Sequence, residues 1–176
     1  NVGPIELETK DLNNDGMSDI YILSNGATKE EKIYYSPEFK PSESKILPIE
    51  EKIRDVYFIT NAEGETKKIL LLKNEQIYIE EWEKSFPTEE KTTHKIIGHQ
   101  EKELMIITKE GSIVFYTIEE NNKTIKKART LKASFNNKQF NKIEYLFINE
   151  ERVLISHNKE AEITIQDLGK KKEENK

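Results

Sequence analysis

Short apolar runs that alternate with polar residues and recur in pairs constrain this chain more than any other feature of its sequence. The runs are rich in Ile, Val, Leu, Tyr and Phe, and short segments of Asn, Gly, Glu and Lys separate them. A period near two indicates β-strands, whereas an amphipathic helix has a period of about 3.6 residues. Four pairs of runs predict hairpins: residues 20–23 with 33–35, 69–72 with 77–79, 104–107 with 113–116, and 153–155 with 163–165.

Each hairpin belongs to a larger unit that repeats along the chain. A further strand candidate precedes every hairpin, at residues 5–7, 56–59, 94–97 and 143–148. Weaker fourth strands lie between the units, at residues 45–49, 85–88 and 124–131. Three or four antiparallel strands that recur roughly every 35–50 residues are typical of propellers, solenoids and arrays.

These repeats predict an all-β chain, a β-propeller or partial propeller of about four antiparallel blades, with an antiparallel β-sandwich as the alternative. The predicted domain covers residues 1–168, with repeats near 1–50, 51–90, 91–132 and 133–168, and residues 169–176 form a charged tail. The last repeat lacks an outer strand before this tail. We therefore expect further propeller blades, or a strand from elsewhere, to complete the ring.

Composition excludes several classes of function. Charged residues make up 35% of the 176 residues, but the net charge is only −5, so no basic stripe for nucleic acid is expected. The chain has no cysteine, which excludes disulfides, iron–sulfur clusters and thiolate zinc sites. No apolar run approaches the roughly 20 residues that a transmembrane helix needs.

The loop at residues 11–19 carries a pattern of metal ligands. Calcium takes six to eight oxygen ligands at about 2.3–2.6 Å, and a short loop supplies them from alternate residues. Gly16 allows the sharp reversal that such a loop requires. The predicted calcium ligands are the side chains of Asp11, Asn13, Asp15 and Asp19 and the main-chain carbonyl of Met17.

An EF-hand and a turn that binds no metal share parts of this sequence pattern. An EF-hand needs a bidentate Glu at its twelfth position and a helix on each side, but that position is Ile22 and strand-forming residues surround it. The EF-hand interpretation therefore fails. A turn rich in Asp and Asn that binds no metal stays open as an alternative, since these residues are common in turns.

The first repeat resembles the FG-GAP, or VCBS-like, repeat of integrin-type propellers. The loop at residues 11–19 leads into Ile-Tyr-Ile-Leu at 20–23, then Gly26-Ala27, then Lys-Ile-Tyr-Tyr at 32–35. Thr28 stands where the family has Pro, and the leading Phe-Gly of the family is absent. The other repeats share only the hairpin pattern.

This resemblance implies a seven-bladed propeller that serves as an extracellular or periplasmic recognition platform with structural calcium. The second repeat has Asn-Ala-Glu-Gly at residues 61–64, but Lys67 replaces the closing Asp, so we expect a single calcium ion. Independently of the family, an exposed loop of this kind predicts a dissociation constant of about 10⁻⁴–10⁻³ M. Such a site fills outside cells, which favours export.

No catalytic pattern accompanies the calcium loop. Three histidines (His94, His99 and His157) do not have the spacing of a zinc triad, and no serine lies in a Gly-x-Ser-x-Gly elbow. Glu80, Glu81 and Glu83 flank Trp82, which keeps a carbohydrate-active hydrolase, with residues such as Glu80 and Glu81, as an alternative.

The predicted function is therefore a non-catalytic protein-binding scaffold that one structural calcium ion stabilises. Its predicted location is extracellular, cell-surface or periplasmic, and its predicted partner is another protein. A calcium-independent assembly scaffold, whose loop has lost its metal, is the second alternative.

Overall fold

The structure is a computed structural model that describes residues 5–13, 15–25, 29–35, 39–41, 44–60, 64–100, 102–133, 140–148, 151–158 and 162–170. Within these ranges the chain forms sixteen β-strands and one short 3-10 helix, and the strands make four antiparallel sheets in chain order. No helix in the described part is long and apolar enough to cross a membrane.

Strands in the first two sheets are neighbours both in sequence and in space. Sheet 1 contains β1 (Ile5–Lys10), β2 (Asp19–Asn25), β3 (Lys29–Tyr35), and the short strands β4 (Lys40–Pro41) and β5 (Lys45–Ile46), which both pair with β3. Sheet 2 contains β6 (Ile53–Thr60), β7 (Thr66–Leu72), β8 (Gln76–Ile79) and β9 (Lys84–Pro87). The 3-10 helix, Glu80–Trp82, connects β8 to β9.

The last two sheets follow the same order. Sheet 3 contains β10 (Thr93–Gln100), β11 (Glu103–Thr108), β12 (Ser112–Glu119) and β13 (Thr124–Lys132). Sheet 4 contains β14 (Phe140–Ile148), β15 (Glu151–Asn158) and β16 (Ile163–Lys170).

The sheets correspond to the four repeats predicted from the sequence. All four hairpins form, and each pairs with the predicted preceding strand. Two boundaries differ from the prediction. Of the weak strand predicted at residues 45–49, only Lys45–Ile46 forms a strand (β5), and an unpredicted short strand, β4, precedes it. Strand β16 continues to Lys170, two residues into the predicted tail. In the described residues, sheet 4 has three strands.

Burial follows the sequence pattern of each strand. Along β2, buried residues alternate with half-buried ones, as expected for a strand that packs on one face. Along β7 and β11, burial is continuous for five residues, which matches the uninterrupted apolar runs at 69–72 and 104–107.

The chain divides into two compact units, Asn1–Pro87 and Thr88–Lys176, with two sheets in each. In the first unit, the facing surfaces of sheets 1 and 2 form a core of Tyr21, Leu23, Leu47, Ile53, Val56, Phe58, Leu70, Leu72 and Tyr78. In the second unit, sheets 3 and 4 enclose a core of Ile97, Met105, Ile107, Ile113, Phe115, Ala133, Ile143, Leu154 and Leu168.

A shared irregularity marks the first strands of sheets 2, 3 and 4. Each shifts register near its start, between Ile53 and Asp55, Thr93 and Lys95, and Phe140 and Lys142 respectively. Strand β1 pairs with β2 without such a shift. A bulge bends a strand and increases its twist. Its recurrence at one position supports a common repeat that the hairpin pattern did not reveal.

Gly98 on β10 allows a close approach to β14. A Cβ atom at this position would lie 2.7 Å from Cδ1 and 2.9 Å from Cγ of Tyr145. Both are ring atoms near the base of the side chain, so a small rotation of the phenol cannot relieve the contact. The packing of sheet 3 on sheet 4 therefore depends on glycine here.

Replacing Gly98 by alanine should lower the free energy of unfolding by about 1–3 kcal/mol, the usual cost of overpacking. Urea denaturation would measure the change, and a double-mutant cycle with Tyr145→Ala would test its cause. If the cost of Gly98→Ala is the same with and without the Tyr145 ring, this contact does not explain it.

Candidate calcium loop and buried charge network

Asp19 anchors the candidate calcium loop to sheet 1. It is the first residue of β2 and is fully buried. Its Oδ2 accepts hydrogen bonds from the main-chain N–H groups of Leu12 (2.7 Å) and Asn13 (3.3 Å). These bonds draw the start of the loop back onto β2, so Asp19 fixes where the loop closes.

The other predicted side chains point into the same loop. Asp11 accepts hydrogen bonds from the N–H groups of Asp15 (3.0 Å) and Gly16 (2.8 Å), and Asn13 Oδ1 accepts one from Asp15 N (3.1 Å). Asp15 accepts from Met17 N (2.8 Å) and from Asn13 Nδ2 (3.0 Å). Gly16 has a φ of +86°, in the left-handed region that favours glycine.

The loop fits calcium in its donor chemistry, because its side chains offer carboxylate and amide oxygens around a tight turn. In the part of the chain that the structure describes, however, no group of three or more Asp, Glu, His or Cys side chains lies close enough to hold a metal ion. The oxygens of Asp11, Asn13 and Asp15 instead accept hydrogen bonds within the loop. Calcium binding at this loop therefore stays a prediction.

The other residues considered as metal ligands lie on several different strands. In the second repeat, residues 61–63 lie outside the described residues, and Lys67 lies on β7. His94 and His99 are on β10 and His157 is on β15.

A buried charge network joins sheets 1 and 2 of the first unit. Lys68 Nζ on β7 donates to Glu31 Oε2 on β3 and to Glu80 Oε2 (2.5 Å) on the 3-10 helix. The Tyr21 hydroxyl donates to the same Glu31 oxygen (3.0 Å). Glu31 and Lys68 are each only 6% exposed, so each charge depends on its partner and not on water.

Lys45 on β5 extends this network toward the surface. Its Nζ donates to Glu80 Oε1 and lies 3.9 Å from Glu31 Oε1. Burial acts to raise the pKa of Glu80, but the hydrogen bonds from Lys45 and Lys68 outweigh it, and the pKa lies below its ordinary value. Burial raises the pKa of Tyr21, with a further contribution from the charge of Glu31, so the phenol stays protonated.

Glu81 has a different environment from its neighbour Glu80. Its Oε1 accepts a hydrogen bond from the main-chain N–H of Lys68 (2.9 Å), and burial raises its pKa.

Trp82 is only 8% exposed and packs edge-on against Phe86, with ring centroids 6.0 Å apart. A sugar platform needs an exposed aromatic face, and Glu80 is already held by two lysines. The geometry therefore gives the hydrolase alternative no support.

Sequence reasoning missed Glu31 and Lys68. Both lie among other charged residues, in Lys-Glu-Glu-Lys at 29–32 and Lys-Lys at 67–68, where charge indicates a solvated strand end. A sign of their burial was available in strand alternation, since Glu31 shares a face of sheet 1 with Tyr21 and Leu23.

Replacing Lys68 by methionine should lower the free energy of unfolding by about 3–5 kcal/mol, because Glu31 and Glu80 would lose their shared buried cation. The matched control is Lys126→Met, which removes an ion pair with Glu119 (2.9 Å) on a more exposed surface. That change should leave the free energy of unfolding nearly unchanged, because solvent screens an exposed ion pair. Equal losses in urea denaturation at neutral pH would contradict a special role for the network.

Glu80 and Glu81 should affect stability with opposite dependence on pH. A lowered folded-state pKa means that Glu80 stabilises the fold above its unfolded pKa, about 4.3, and loses this effect as the pH falls through the folded value. The raised pKa of Glu81 gives a contribution that is present below about pH 4.3 and is lost as the pH rises through the folded value.

Glu80→Gln should therefore lower stability at neutral pH and reduce the loss of stability in acid, whereas Glu81→Gln should preserve or increase stability at neutral pH. Urea denaturation curves between about pH 3 and pH 7 would measure both effects. The assignment is wrong if both variants lose similar stability at neutral pH.

Comparison with known sequences gives no relative. No family model matches the chain, and no curated protein sequence matches it. The resemblance of the first repeat to the FG-GAP or VCBS-like repeat therefore depends on its own residues and stays a prediction.

Solved structures match at the level of the fold, and 24 chains do so. Two are BBS1N chains in complex with ARL6DN, from crystals soaked with lead and with mercury. The first has a TM-score of 0.53 at 9% identity and covers 93% of this chain and 54% of its own. The second has a TM-score of 0.52 at 10% identity and covers 93% and 65% respectively.

The chain thus spans about half to two thirds of the length of these solved chains. The BBS1N domain is a β-propeller. Four antiparallel sheets in chain order and this similarity together confirm the predicted fold class. The chain is an all-β protein with the fold of a β-propeller or partial propeller of four antiparallel blades.

Proposed function

We propose that this chain is a non-catalytic protein-binding scaffold. The observation that carries the proposal is its propeller fold, which is similar to that of BBS1N, a domain crystallised in complex with another protein, ARL6DN. Propellers bind partners through the loops and strand edges that their rigid sheets present. The two carboxylates considered for catalysis have structural contacts here, to Lys45 and Lys68.

We further propose one structural calcium ion at the loop of residues 11–19, and a location outside the cell or in the periplasm. The donor chemistry of the loop and the left-handed Gly16 support the metal site. Asp11, Asn13, Asp15 and Asp19 would contribute side-chain oxygens, and Met17 its carbonyl. The ion would neutralise carboxylates that crowd one turn and so brace the connection from β1 to β2. The location outside the cell or in the periplasm follows from the weak affinity expected of such a loop, because a weak calcium site fills outside cells.

A calcium-independent scaffold is the second candidate, and a specific observation favours it. The loop already satisfies its own main-chain N–H groups with side-chain oxygens, from Asp11, Asn13, Asp15 and Asp19. A turn of this kind can close without a metal.

Calcium at about 2 mM should stabilise the wild-type chain by about 0.6–1.8 kcal/mol relative to chelator, if the dissociation constant is about 10⁻⁴–10⁻³ M. This corresponds to a rise of about 1–7 °C in melting temperature. Asp15→Asn should abolish most of the rise, because it removes a ligand charge at constant shape. Glu119→Gln, on β12 of the second unit, is the matched control and should keep the rise.

If the wild-type melting temperature is the same in calcium and chelator, and the purified protein contains no metal, the calcium-independent scaffold is favoured. If Asp15→Asn loses stability equally in both conditions, the loop acts through its hydrogen bonds alone.

The scaffold itself is tested by affinity capture with the whole chain, followed by measurement of the dissociation constant with each purified candidate partner. A saturable one-to-one complex supports the proposal. Turnover of a carbohydrate polymer that Glu80→Gln abolishes would contradict it.

A further inference from the structure

The turn between β12 and β13 carries the acceptor sequence for N-linked glycosylation. That sequence is Asn, then any residue except Pro, then Ser or Thr, and Asn122-Lys123-Thr124 is its one occurrence in the 176 residues. Oligosaccharyltransferases of the bacterial periplasm also require Asp or Glu two positions before the asparagine, and that position is Glu120. Residues 120–124 thus satisfy both forms of the acceptor.

The hairpin presents this acceptor at its tip. Glu119 and Thr124 are the last register partners of β12 and β13, so residues 120–123 form the turn. The main-chain N–H of Lys123 donates to the carbonyl of Glu120 (3.1 Å), which closes a four-residue turn. All four turn residues are exposed. An enzyme can therefore reach the turn in the folded chain.

The side-chain amide of Asn122 is the group to which a glycan is attached. Its Nδ2 donates a long hydrogen bond to Glu119 Oε2 (3.3 Å), and Lys126 Nζ donates to the same oxygen from 3.1 Å. An N-glycosidic bond replaces only one of the two hydrogens on Nδ2, so the other hydrogen can keep this contact. The hairpin can therefore carry a glycan without rearrangement.

The hydroxyl of Thr124 is the second group that a transferase must recognise. Thr124 is the first residue of β13, so only the terminal pair of the hairpin has to open to release it. Strand ends open at a free-energy cost far below that of unfolding the whole domain. The position of the threonine thus suits modification of the folded chain as well as of the nascent one.

We propose that Asn122 is an N-glycosylation site, and that the donor is an oligosaccharide linked to a polyprenyl diphosphate. Nδ2 forms a bond to the anomeric carbon of the first sugar, and the bond from that carbon to the diphosphate oxygen breaks. The lipid diphosphate leaves with the electron pair, and one amide proton passes to a base of the transferase. This inference rests on the proposed location, because these transferases act in the secretory pathway and in the periplasm.

The first test uses the folded, purified chain with a purified periplasmic oligosaccharyltransferase and its lipid-linked oligosaccharide. Intact-mass measurement should show one glycan on each chain, and peptide mapping should locate it at Asn122. Asn122→Gln and Thr124→Ala should each abolish the mass shift. Both changes are at the hairpin tip, so circular dichroism should show an unchanged fold.

Two neighbouring glutamates supply a matched pair of variants. Glu120→Gln should slow transfer by the periplasmic enzyme at least about tenfold, the usual cost of removing a hydrogen-bonded charge. Glu119→Gln lies outside the acceptor sequence and should leave the rate unchanged. In eukaryotic microsomes, whose transferase reads only residues 122–124, neither variant should reduce glycosylation.

The native modification is measured on the chain purified from its own cells, by peptide mapping before and after enzymatic removal of N-glycans. A glycan on Asn122 supports the proposal, and an unmodified Asn122 overturns it. Failure of both transferases to modify the chain, or transfer to a different residue, would overturn it as well.

These outcomes separate the glycan from the wider function. A chain found outside the cell or in the periplasm with Asn122 unmodified would leave the proposed location intact and remove the glycan. A glycan on Asn122, together with sugar turnover that Glu80→Gln abolishes, would support the glycosylation site while contradicting the non-catalytic function.

Discussion

The buried cation of Lys68 is the interaction on which the first unit most depends. It lies between Glu31 of sheet 1 and Glu80 of the helix that follows β8, so one charge contacts two structural elements. Burying an ion costs several kcal/mol unless its partners are in place, which penalises any register that separates them. We infer that the network helps to fix how sheet 1 packs on sheet 2.

The same constraint explains the different states of two adjacent glutamates. Glu80 leads into the 3-10 helix and directs both oxygens at lysines, which lowers its pKa. Glu81 turns toward the main chain of Lys68, and burial raises its pKa. Two carboxylates with separated pKa values are a common signature of an acid–base pair. Here hydrogen bonds from two lysines account for the lowered pKa of Glu80, and burial accounts for the raised pKa of Glu81, so these shifts alone are no evidence of catalysis.

The architecture could be predicted from the sequence because alternating apolar and polar residues mark each hairpin within a short stretch of chain. Every predicted hairpin forms, and strand order follows chain order, so few long-range choices remained. The tight turn between β1 and β2 could be predicted for the same reason, since its Asp, Asn and Gly residues lie within nine neighbouring positions. Calcium binding at this turn stays a prediction. The charge network could not be predicted, because Glu31 and Lys68 are 37 residues apart and meet only when two sheets pack. The recurrent bulges near the starts of β6, β10 and β14 were also missed, since no residue type marks them.

Charged contacts between sheets occur in both units, near the connection from a first strand to a second. In the first unit, Lys10 at the end of β1 donates to the carbonyl of Phe58 on β6 (2.6 Å). In the second unit, Arg152 near the start of β15 donates to Glu103 at the start of β11, and Arg152 is only 5% exposed. Sheets 3 and 4 thus use an ion pair where their connecting turns have no metal-ligand pattern. The proposed calcium ion follows Lys10 directly, so it would add an inorganic cation to a connection that a lysine already secures. Calcium would therefore add to the stability of the first repeat without being essential to its fold.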